Sequence, residues 1–544
     1  MIAYDKSLFQ RKSFVSHSSP EKDVIVGVKS APQEAVDQFV EWGKSCGFLF
    51  NHKGDIVLLH EDKLLPLMKD GNLVAKAPYT LANYVIGQDK TKGSKGPLSQ
   101  SLLWQAFHDH RLRQGLPTID DVSDRPAYGS DFTLLQPGYH REQKLLVLGE
   151  RIDPIPFNPE TEDTVLHEFL GKLRGLPFKE DADYVNMVGV FLMTLLARPL
   201  APSGKMFVLL DGDCPGLGKT LLAQMLGLVA DGKKPAPTEF TTGNEELSKR
   251  IASTLKTHKQ QSVLLFDNAR VKGKAKIDLT SLESLSSSPM ISLRIIRTSN
   301  DLVMSNNYTW ILTMNDTKTT RDLADRGLFI RLSSERQRER QKKCQSNCYG
   351  ELMPFVEKHH REIRDSLYGM IEYWKSLGRP EGTATHRFAN AAKWISGILD
   401  SCGMPDFLSN HEEATRAFDP VMDDLCALFE TTMEPETEVE DGTSYVPTLA
   451  MGAREWLPIV EKSQIARAEL AAIKSMRGKL THLGKRFNSD LIDKPFSIEV
   501  NGHNGTATLI KEALPHKQFG YRFYVTLDPE GDGETAVTGP DASV

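Results

Sequence analysis

The chain has 544 residues, of which 40% are hydrophobic and 25% charged, and its formal net charge is −6. This composition is typical of a globular protein and excludes an intrinsically disordered chain. The acidic balance also argues against a histone-like DNA binder that works by bulk neutralisation of phosphates, although it permits a local basic surface. Six cysteines are too few for a disulfide framework, which favours a reduced cytoplasmic setting. The longest apolar run, residues 187–197, predicts a buried helix and no membrane partner.

Residues 1–150 predict a mixed α+β domain. One β-hairpin is expected from residues 48–50 and 56–59, and a second from residues 132–135 and 144–148. Residues 87–97 are rich in glycine and lysine, which predicts a flexible basic loop.

A glycine-rich segment between a strand and a helix is the strongest functional signal. The predicted strand 206–210 leads into DGDCPGLGKT, and a helix is expected from Leu221. Small residues let backbone N–H groups curl around phosphate oxygens, and the helix N-terminus adds partial positive charge. Lys219 is placed to reach the β- and γ-phosphates of ATP, and the Thr220 hydroxyl to hold Mg²⁺. The predicted nucleotide-binding residues are Pro215, Gly216, Leu217, Gly218, Lys219, Thr220 and Leu221.

The loop departs from the usual spacing at its first glycine. Asp213 occupies that position, and Gly212 lies one residue early. A carboxylate there is expected to repel phosphate slightly. A structural loop that binds no nucleotide is the alternative interpretation.

A second predicted strand, residues 262–268, ends in an acidic residue. Asp267 is expected to bind Mg²⁺ through water or through Thr220, and the alternative is a buried strand that ends in a capping aspartate. Asn268 lies where many ATPases carry a glutamate that polarises the attacking water. An amide can orient a water but cannot accept its proton, so the general base is left open.

The third predicted strand, residues 308–315, ends in Asn315. A polar residue at the end of such a strand is expected to lie between the two previous strands and to hydrogen-bond the γ-phosphate or its water. The alternative is an ordinary strand terminator.

An arginine on a helix just before the next strand is where ring ATPases place a finger that reaches the nucleotide of a neighbouring subunit. We favour Arg326 for this role over Arg331 and Arg321. The alternative for Arg326 is an ion pair with Asp322 or Asp325.

Strands and helices alternate from the strand 206–210 to about residue 332, which predicts a parallel sheet covered by helices, and residues 151–345 are interpreted as the core domain that contains it. Residues 346–430 are helical by periodicity and are interpreted as a lid. Residues 431–446 are interpreted as an acidic linker and residues 528–544 as a disordered acidic tail. The stretch 430–441 carries a charge of −6 and the tail −5, so the remaining residues carry +5.

Residues 447–527 predict a small basic domain. Helix, helix and hairpin follow one another, and Leu480, Leu483, Phe487 and Leu491 give the second helix an apolar face. This order predicts a winged-helix-like domain that binds DNA, with a protein-interaction module as the alternative. The predicted DNA contacts are Lys474, Arg477, Lys479, Lys485 and Arg486.

The order of these motifs resembles the AAA+ ATPases of phage, plasmid and integrative elements, which are related to superfamily 3 helicases and often lie behind a primase. The resemblance covers about residues 120–530. Its segments are the glycine-rich loop, NEELSKR at 244–250, FDNAR at 266–270, TMN at 313–315, DLADRGLFIRL at 322–332 and HRFANAAKWISGILDSCGMPDFLSN at 386–410.

The resemblance implies an α/β fold with a P-loop AAA+ core, a helical lid, an N-terminal α+β region and a C-terminal winged-helix-like domain. It also implies an ATP- and Mg²⁺-dependent motor that translocates on or unwinds single-stranded or forked DNA in mobile-element or phage replication. Arg326 would act across a ring, expected to be a hexamer, because a finger supplied in trans needs an interface that closes. Arg387 is a weaker candidate for a lid arginine. Residues 1–150 offer no paired aspartates in a strand context, so a primase is expected to be absent or separate.

In the related helicases, a hairpin before the third strand projects into the central channel. Residues 291–298 and 302–305 predict such a hairpin, with Arg294 and Arg297 as DNA contacts. Lys272, Lys274 and Lys276 are a second possibility, and a solvated surface loop is the alternative for each. The competing functions are an ATP-dependent regulatory or defence switch that does not unwind DNA, and a structural protein with a vestigial P-loop.

Overall fold

The computed structural model describes most of the chain, in two compact units. The described residues are 22–29, 32–61, 63–69, 71–161, 164–241, 243–258, 261–269, 280–294, 301–315, 319–343, 348–418, 420–432, 444–445, 450–463, 465, 467–500, 503–515 and 518–527. The first unit takes those within 1–269, 280–315 and 330–408, and the second those within 270–279, 316–329 and 409–544.

The N-terminal part of the first unit mixes short strands with helices, as its sequence predicted. The helices are α1 (Pro32–Ser45), α2 (Ala77–Leu81), α3 (Gln100–His108) and α4 (His110–Gly115). The strands are β1 (Asp23–Val26), β2 (Leu49–His52), β3 (Asp55–His60), β4 (Lys63–Pro66), β5 (Met68–Lys69), β6 (Asn72–Leu73), β7 (Val85–Gln88), β8 (Lys95–Gly96), β9 (Thr118–Ile119), β10 (Asp121–Ser123), β11 (Ala127–Tyr128), β12 (Leu134–Leu135), β13 (Gly138–His140) and β14 (Leu145–Val147).

The first predicted hairpin is confirmed and the second is wrong. Strands β2 and β3 pair in antiparallel fashion around Lys53 and Gly54, which both have positive φ. Strand β14, however, pairs with β13, and β12 pairs with β11. The chain reverses at residues 141–144, where Lys144 has a φ of 45°, and not at Pro137–Gly138.

The segment predicted as a flexible basic loop forms a hairpin. Strands β7 and β8 pair in antiparallel fashion. The Asp89 carboxylate organises the turn between them, because it accepts hydrogen bonds from the backbone N–H groups of Thr91 and Lys92 at 2.8 and 3.3 Å.

The central part of the chain alternates strands with helices. Its elements are α5 (Val165–Arg174), α6 (Asp181–Leu195), α7 (Ala197–Leu200), β15 (Phe207–Gly212), α8 (Lys219–Asp231), β16 (Pro237–Glu239), α9 (Asn244–Thr257), β17 (Val263–Ala269), α10 (Thr280–Ser287), β18 (Met290–Arg294), β19 (Asp301–Ser305), β20 (Thr309–Met314), α11 (Arg321–Asp325, in the second unit), β21 (Gly327–Leu332), α12 (Ser334–Lys343), α13 (Cys348–Ser376) and α14 (Ala389–Ser401).

Five of these strands form one sheet in the order β16-β17-β20-β15-β21. The pairs β16–β17, β17–β20 and β20–β15 are parallel. The protein is therefore a mixed α/β fold with a parallel sheet, and β20 lies between the two strands that precede it in the predicted series. All six residues of β20 are buried. The carboxyl ends of β15, β20 and β17 thus meet side by side at one edge.

Helix α6 forms the centre of the first unit and is buried on nearly every face. Helix α13 packs against α5 and α8, and α14 packs against α6. The predicted helical segment 346–430 is thus divided, since α13 and α14 belong to the first unit and the later helices to the second. Among the described residues no single helix can span a membrane by length and hydropathy; α6 and residues 197–203 pass only as a pair bent by 88°.

The second unit is built on an antiparallel sheet packed against helices. Its further elements are α15 (His411–Phe418), α16 (Pro420–Thr432), β22 (Ser444–Tyr445), α17 (Ala453–Lys462), α18 (Arg467–Ala472), α19 (Met476–Arg486), β23 (Pro495–Val500), β24 (His503–Leu514) and β25 (Gln518–Leu527). The sheet order is β22-β25-β24-β23. Trp456 packs edge-on against Phe487 and Phe523 in its core.

The predicted apolar face of the second helix is confirmed, because Leu483 in α19 and Phe487 and Leu491 in the π-helical turn after it (Phe487–Leu491) are buried. Asn504 and Gly505, a dipeptide that often forms a turn, lie within β24 and pair with β23. Most of the acidic linker (433–443 and 446) and the whole tail, 528–544, lie outside the described residues.

Candidate nucleotide site

The glycine-rich loop joins β15 to α8. Gly216 and Gly218 have φ values of 85° and 97°, which only glycine adopts readily, and Leu217 is fully buried and anchors the loop. Helix α8 begins at Lys219, two residues earlier than predicted, and no side chain caps its N-terminus. The backbone N–H groups of its first turn are therefore directed toward the loop without a side-chain acceptor.

Lys219 is a buried cation held by uncharged oxygens. Its side chain is 7% exposed, and its Nζ lies 2.8 Å from Asn315 Oδ1 and 3.1 Å from the carbonyl oxygen of Cys214. Burial lowers the pKa of Lys219, because removal of water disfavours the charged ammonium. A phosphate at this position would supply the negative charge that these two acceptors lack.

Thr220 and Asp267 come together as the sequence predicted. The Thr220 hydroxyl donates to Asp267 Oδ1 over 3.1 Å. The same carboxylate oxygen accepts a hydrogen bond from the Thr313 hydroxyl at 2.6 Å. A hydroxyl and a carboxylate at this edge of the sheet are the oxygen ligands that Mg²⁺ prefers.

Thr313 belongs to the site, although sequence reasoning missed it. Its hydroxyl donates to Asp267 and accepts the backbone N–H of Asn268 at 2.7 Å. Thr313 precedes Asn315 by two residues, and residues two apart share a face of a strand. The two-residue spacing from Asn315 was the sequence signal that could have identified Thr313 as a site residue.

Asn268 lies at an irregularity of β17. Its φ is 57°, and the register with β20 shifts between Phe266 and Ala269. The backbone is held by Thr313, while the side chain is exposed. The amide therefore lies at the surface, one residue before the end of β17.

Asp213 faces the start of α12. Its carboxylate accepts hydrogen bonds from the backbone N–H and the hydroxyl of Ser334 at 2.9 to 3.0 Å. The aspartate that replaces the first glycine of the loop therefore has a structural partner.

The three arginines near residue 326 differ in their surroundings. Arg326 is 13% exposed, and its Nε lies 2.9 Å from Asp322 Oδ2, which is the ion pair that the sequence offered as an alternative. Arg331 is 5% exposed and pairs with Glu180 and Asp183 at 3.0 and 3.3 Å. Its guanidinium is thus held inside the first unit. Arg321 begins α11, and Arg387 is exposed in the first unit.

The predicted hairpin before the third strand is present. Strands β18 and β19 pair in antiparallel fashion, with exposed Arg294 opposite Asp301. Lys53 Nζ donates to the carbonyl oxygen of Val303 at 2.8 Å, so the N-terminal turn of β2–β3 supports the hairpin. Arg297 and the lysines at 272, 274 and 276 lie outside the described residues.

The basic residues around α19 fall into two classes. Lys474, Arg477 and Lys485 are exposed. Lys479 instead pairs with Glu461 at 2.9 Å, and Arg486 pairs with Asp424. Three of the five predicted DNA contacts therefore face solvent within this unit, and two hold it together.

Among solved structures, the chain is similar to a protein described as "SCCmec type IV Cch - active helicase". The identity is 10% and the TM-score 0.36, over 86% of this chain and 90% of that one. Similarity at this level does not identify a function. No family model matches the chain, and no curated protein matches it.

Proposed function

We propose that this chain is an ATP-hydrolysing motor of the AAA+ class, similar to superfamily 3 helicases, that translocates on or unwinds DNA. The observation that carries the proposal is the meeting of Lys219, Thr220, Asp267 and Asn315 at the carboxyl ends of three adjacent strands. In open α/β sheets, ligands bind at such an edge. Replication of a mobile element or phage is the setting that the motif order suggests.

The nucleotide site fits a triphosphate. The uncapped start of α8 and the two left-handed glycines offer backbone N–H groups, and Lys219 offers a buried positive charge. When phosphate enters, Lys219 exchanges Asn315 Oδ1 for a phosphate oxygen. The Asn315 amide is then released to bind the γ-phosphate or its attacking water.

Thr220 and Asp267 would hold Mg²⁺. Their oxygens lie 3.1 Å apart, and the hydrogen bond from Thr313 fixes the orientation of the carboxylate. Mg²⁺ held by these two residues would neutralise the charge that develops on the phosphates in the reaction.

The proposed assembly is a hexameric ring with Arg326 of one subunit at the nucleotide of the next. Asp322 stabilises Arg326 in the single chain, and the arginine would change partner when a neighbour's phosphate is present. A separate primase is a proposed partner.

DNA would be bound at two places. Exposed Arg294 on the β18–β19 hairpin would contact single-stranded backbone. In the second unit, three helices followed by the β24–β25 hairpin support a winged-helix-like domain, with Lys474, Arg477 and Lys485 toward the DNA.

The test is an ATPase assay with and without single-stranded DNA, followed by a forked-duplex unwinding assay. We expect Mg²⁺-dependent hydrolysis that DNA stimulates, stimulation that falls steeply with salt, and no hydrolysis by Lys219→Ala. Nucleotide hydrolysis that survives in Lys219→Ala would overturn the assignment of the site.

A second candidate is an ATP-dependent regulatory or defence switch that does not unwind DNA. The amide of Asn268 favours it, because this position lacks the carboxylate of a fast ATPase. The switch predicts slow hydrolysis that is indifferent to DNA, together with tight nucleotide binding.

A further inference from the structure

Helix α3 carries a tryptophan on its solvent face. The opposite face of the helix is buried in the N-terminal core through Leu102, Leu103, Ala106 and Phe107. Trp104, in contrast, is 53% exposed. A single exposed apolar side chain is common on protein surfaces, so the surroundings of the indole decide whether it has a function.

The Trp104 ring is accompanied by a second ring, that of His108, one helical turn later. The ring centroids lie 4.3 Å apart and the ring planes are inclined by 30°. His108 Nδ1 lies 2.8 Å from the carbonyl oxygen of Trp104, and this hydrogen bond holds the imidazole beside the indole. His108 is itself exposed. The two rings form an ordered aromatic surface that is open to solvent. A nucleobase can stack on such a surface whatever its identity, because every base has a π-face.

Exposed cations surround this part of the chain. Residues 76–116, which include α2, α3 and α4, contain six Lys or Arg and two Asp, a net charge of +4 in a chain of −6. Lys90 pairs with Glu34 of α1 at 2.7 Å. The other lysines of the segment are exposed, and they are Lys76, Lys92 and Lys95. Lys76 precedes α2, which packs against α3. An aromatic surface among exposed lysines is typical of proteins that bind single-stranded nucleic acid.

The end of α3 is joined to the β18–β19 hairpin by a short chain of hydrogen bonds. Arg113 Nε donates to the carbonyl oxygen of Phe107, in the last turn of α3, at 2.7 Å, and Arg113 Nη1 lies 3.4 Å from the carbonyl oxygen of Gly54. Lys53, which precedes Gly54 in the β2–β3 turn, donates to the carbonyl oxygen of Val303 in β19 at 2.8 Å. One arginine and one turn therefore connect the helix that bears the rings to the hairpin that is proposed to contact DNA.

We propose that Trp104 and His108 form a stacking site for the bases of single-stranded DNA. The exposed lysines of residues 76–116 attract its phosphates. This inference deepens the proposed function and rests on it for the identity of the nucleic acid. It gives the N-terminal part of the first unit a role, as a third DNA contact beside the hairpin and the second unit. Stacking reads no sequence and needs no nucleotide, so the contact is expected to persist without ATP.

The test measures binding of fluorescein-labelled oligo(dT) to the full-length protein by anisotropy, without ATP. An oligonucleotide of about 20 nucleotides is longer than a usual single-strand site. The variants are Trp104→Ala, Trp104→Leu, which keeps apolar bulk but removes the π-face, and Trp104→Phe, which keeps an aromatic ring. We expect the alanine and leucine variants to raise the Kd by about 5- to 100-fold, the range of one base–aromatic stack, and the phenylalanine variant to retain most of the affinity.

Leu377→Ala is the matched control, because Leu377 is 52% exposed in the same unit and should not affect the Kd. Circular dichroism and urea unfolding check that each variant folds. A second readout reports stacking directly: oligo(dT) should quench tryptophan fluorescence in wild type and much less in Trp104→Phe. An unchanged Kd in Trp104→Ala would overturn the inference. A loss of affinity in Trp104→Ala that Trp104→Leu restores would also overturn it, because apolar contact and not stacking would then bind the DNA.

Failure of this inference and failure of the proposed function give different results. If DNA stimulates ATP hydrolysis and the Trp104 variants bind oligo(dT) like wild type, the proposed function stands and the stacking site is wrong. If the variants lose affinity for oligo(dT) but wild type does not hydrolyse ATP, the stacking site stands and the motor function fails. Wild-type protein that binds no oligo(dT) overturns the inference at any rate of ATP hydrolysis.

Discussion

The carboxylate of Asp213 accepts hydrogen bonds from both the backbone N–H and the hydroxyl of Ser334. Ser334 is the first residue of α12, where the N–H groups of a helix lack partners and negative charge is stabilised. The aspartate that replaces glycine at this position therefore links the glycine-rich loop to α12, the helix that follows β21. The carboxylate is directed to that helix, which limits its repulsion of phosphate.

We expect Asp213→Ala to lower the free energy of unfolding by about 1 kcal/mol, the usual cost of losing a helix cap, with nucleotide affinity retained. Urea unfolding and titration with a fluorescent ATP analogue would measure the two effects. Ser334→Ala is the control and should cost less, because its backbone N–H still reaches Asp213. Weaker nucleotide binding at unchanged stability would contradict the structural role.

Thr313→Val should raise the Mg²⁺ concentration needed for half-maximal hydrolysis. The change removes the hydroxyl that orients Asp267 and leaves the Asn268 N–H without its acceptor, a loss that costs about 1 to 3 kcal/mol when buried. Thr313→Ser keeps the hydroxyl and should behave like wild type. An identical Mg²⁺ dependence in both variants would show that the Thr313 hydroxyl has no role in the metal site.

Arg326→Ala should assemble normally and hydrolyse ATP poorly, by about 10³ to 10⁵-fold if Arg326 is a finger. Mixing it with inactive Lys219→Ala should restore some activity, because a mixed interface can combine an intact loop with an intact arginine. Asp322→Asn is a control, since it removes the carboxylate partner and retains Arg326. No restoration in the mixture would count against a shared site.

The basic residues of the second unit should separate by function. Replacing Lys474, Arg477 and Lys485 by alanine should weaken DNA binding and flatten its salt dependence, by about 0.9 in the log–log slope for each lost phosphate contact. Replacing Lys479 or Arg486 should instead lower stability, because these residues pair with carboxylates in the same unit. Fluorescence anisotropy and urea unfolding would check both. Equal loss of DNA affinity in the two groups would refute the division.

We expect Lys205 to make the free energy of unfolding depend on pH in the range above neutrality. Its ammonium is buried and donates to the backbone carbonyls of Asn306 and Tyr308, and burial lowers its pKa from 10.5 to about 7. The unfolded chain then binds more protons between pH 7 and 10.5, so stability rises with pH across that window. We expect the stability of wild type relative to Lys205→Met to increase from pH 7 to 9.5 in urea unfolding. A constant difference would show that the amine titrates normally.

The sequence predicted the elements whose signals are local. Short patterns of residues predicted the glycine-rich loop, the ends of β17 and β20, the β18–β19 hairpin and the apolar face that begins in α19. The place of β20 between β15 and β17 is also as expected.

The sequence alone did not predict contacts between residues that lie far apart along the chain. Nothing near Arg331 indicates that Asp183, 148 residues away, buries its guanidinium. A threonine inside an apolar strand is an ordinary β-former, so the two-residue spacing from Asn315 was the one signal that could have placed Thr313 in the site. The error in the second predicted hairpin has a similar cause. Pro137–Gly138 is a strong turn signal, but β12 pairs with the earlier strand β11 and not with β14.

Thr313 lies in β20 and Asn315 directly follows this strand; the first contacts Asp267 and the second contacts Lys219. One fully buried strand therefore positions the residues that contact Asp267 and Lys219. A shift of β20 along its neighbours would break the hydrogen bond between Thr313 and Asp267. If a nucleotide binds as proposed, we expect Asn315 to respond by rotation of its side chain, because its backbone follows a fully buried strand.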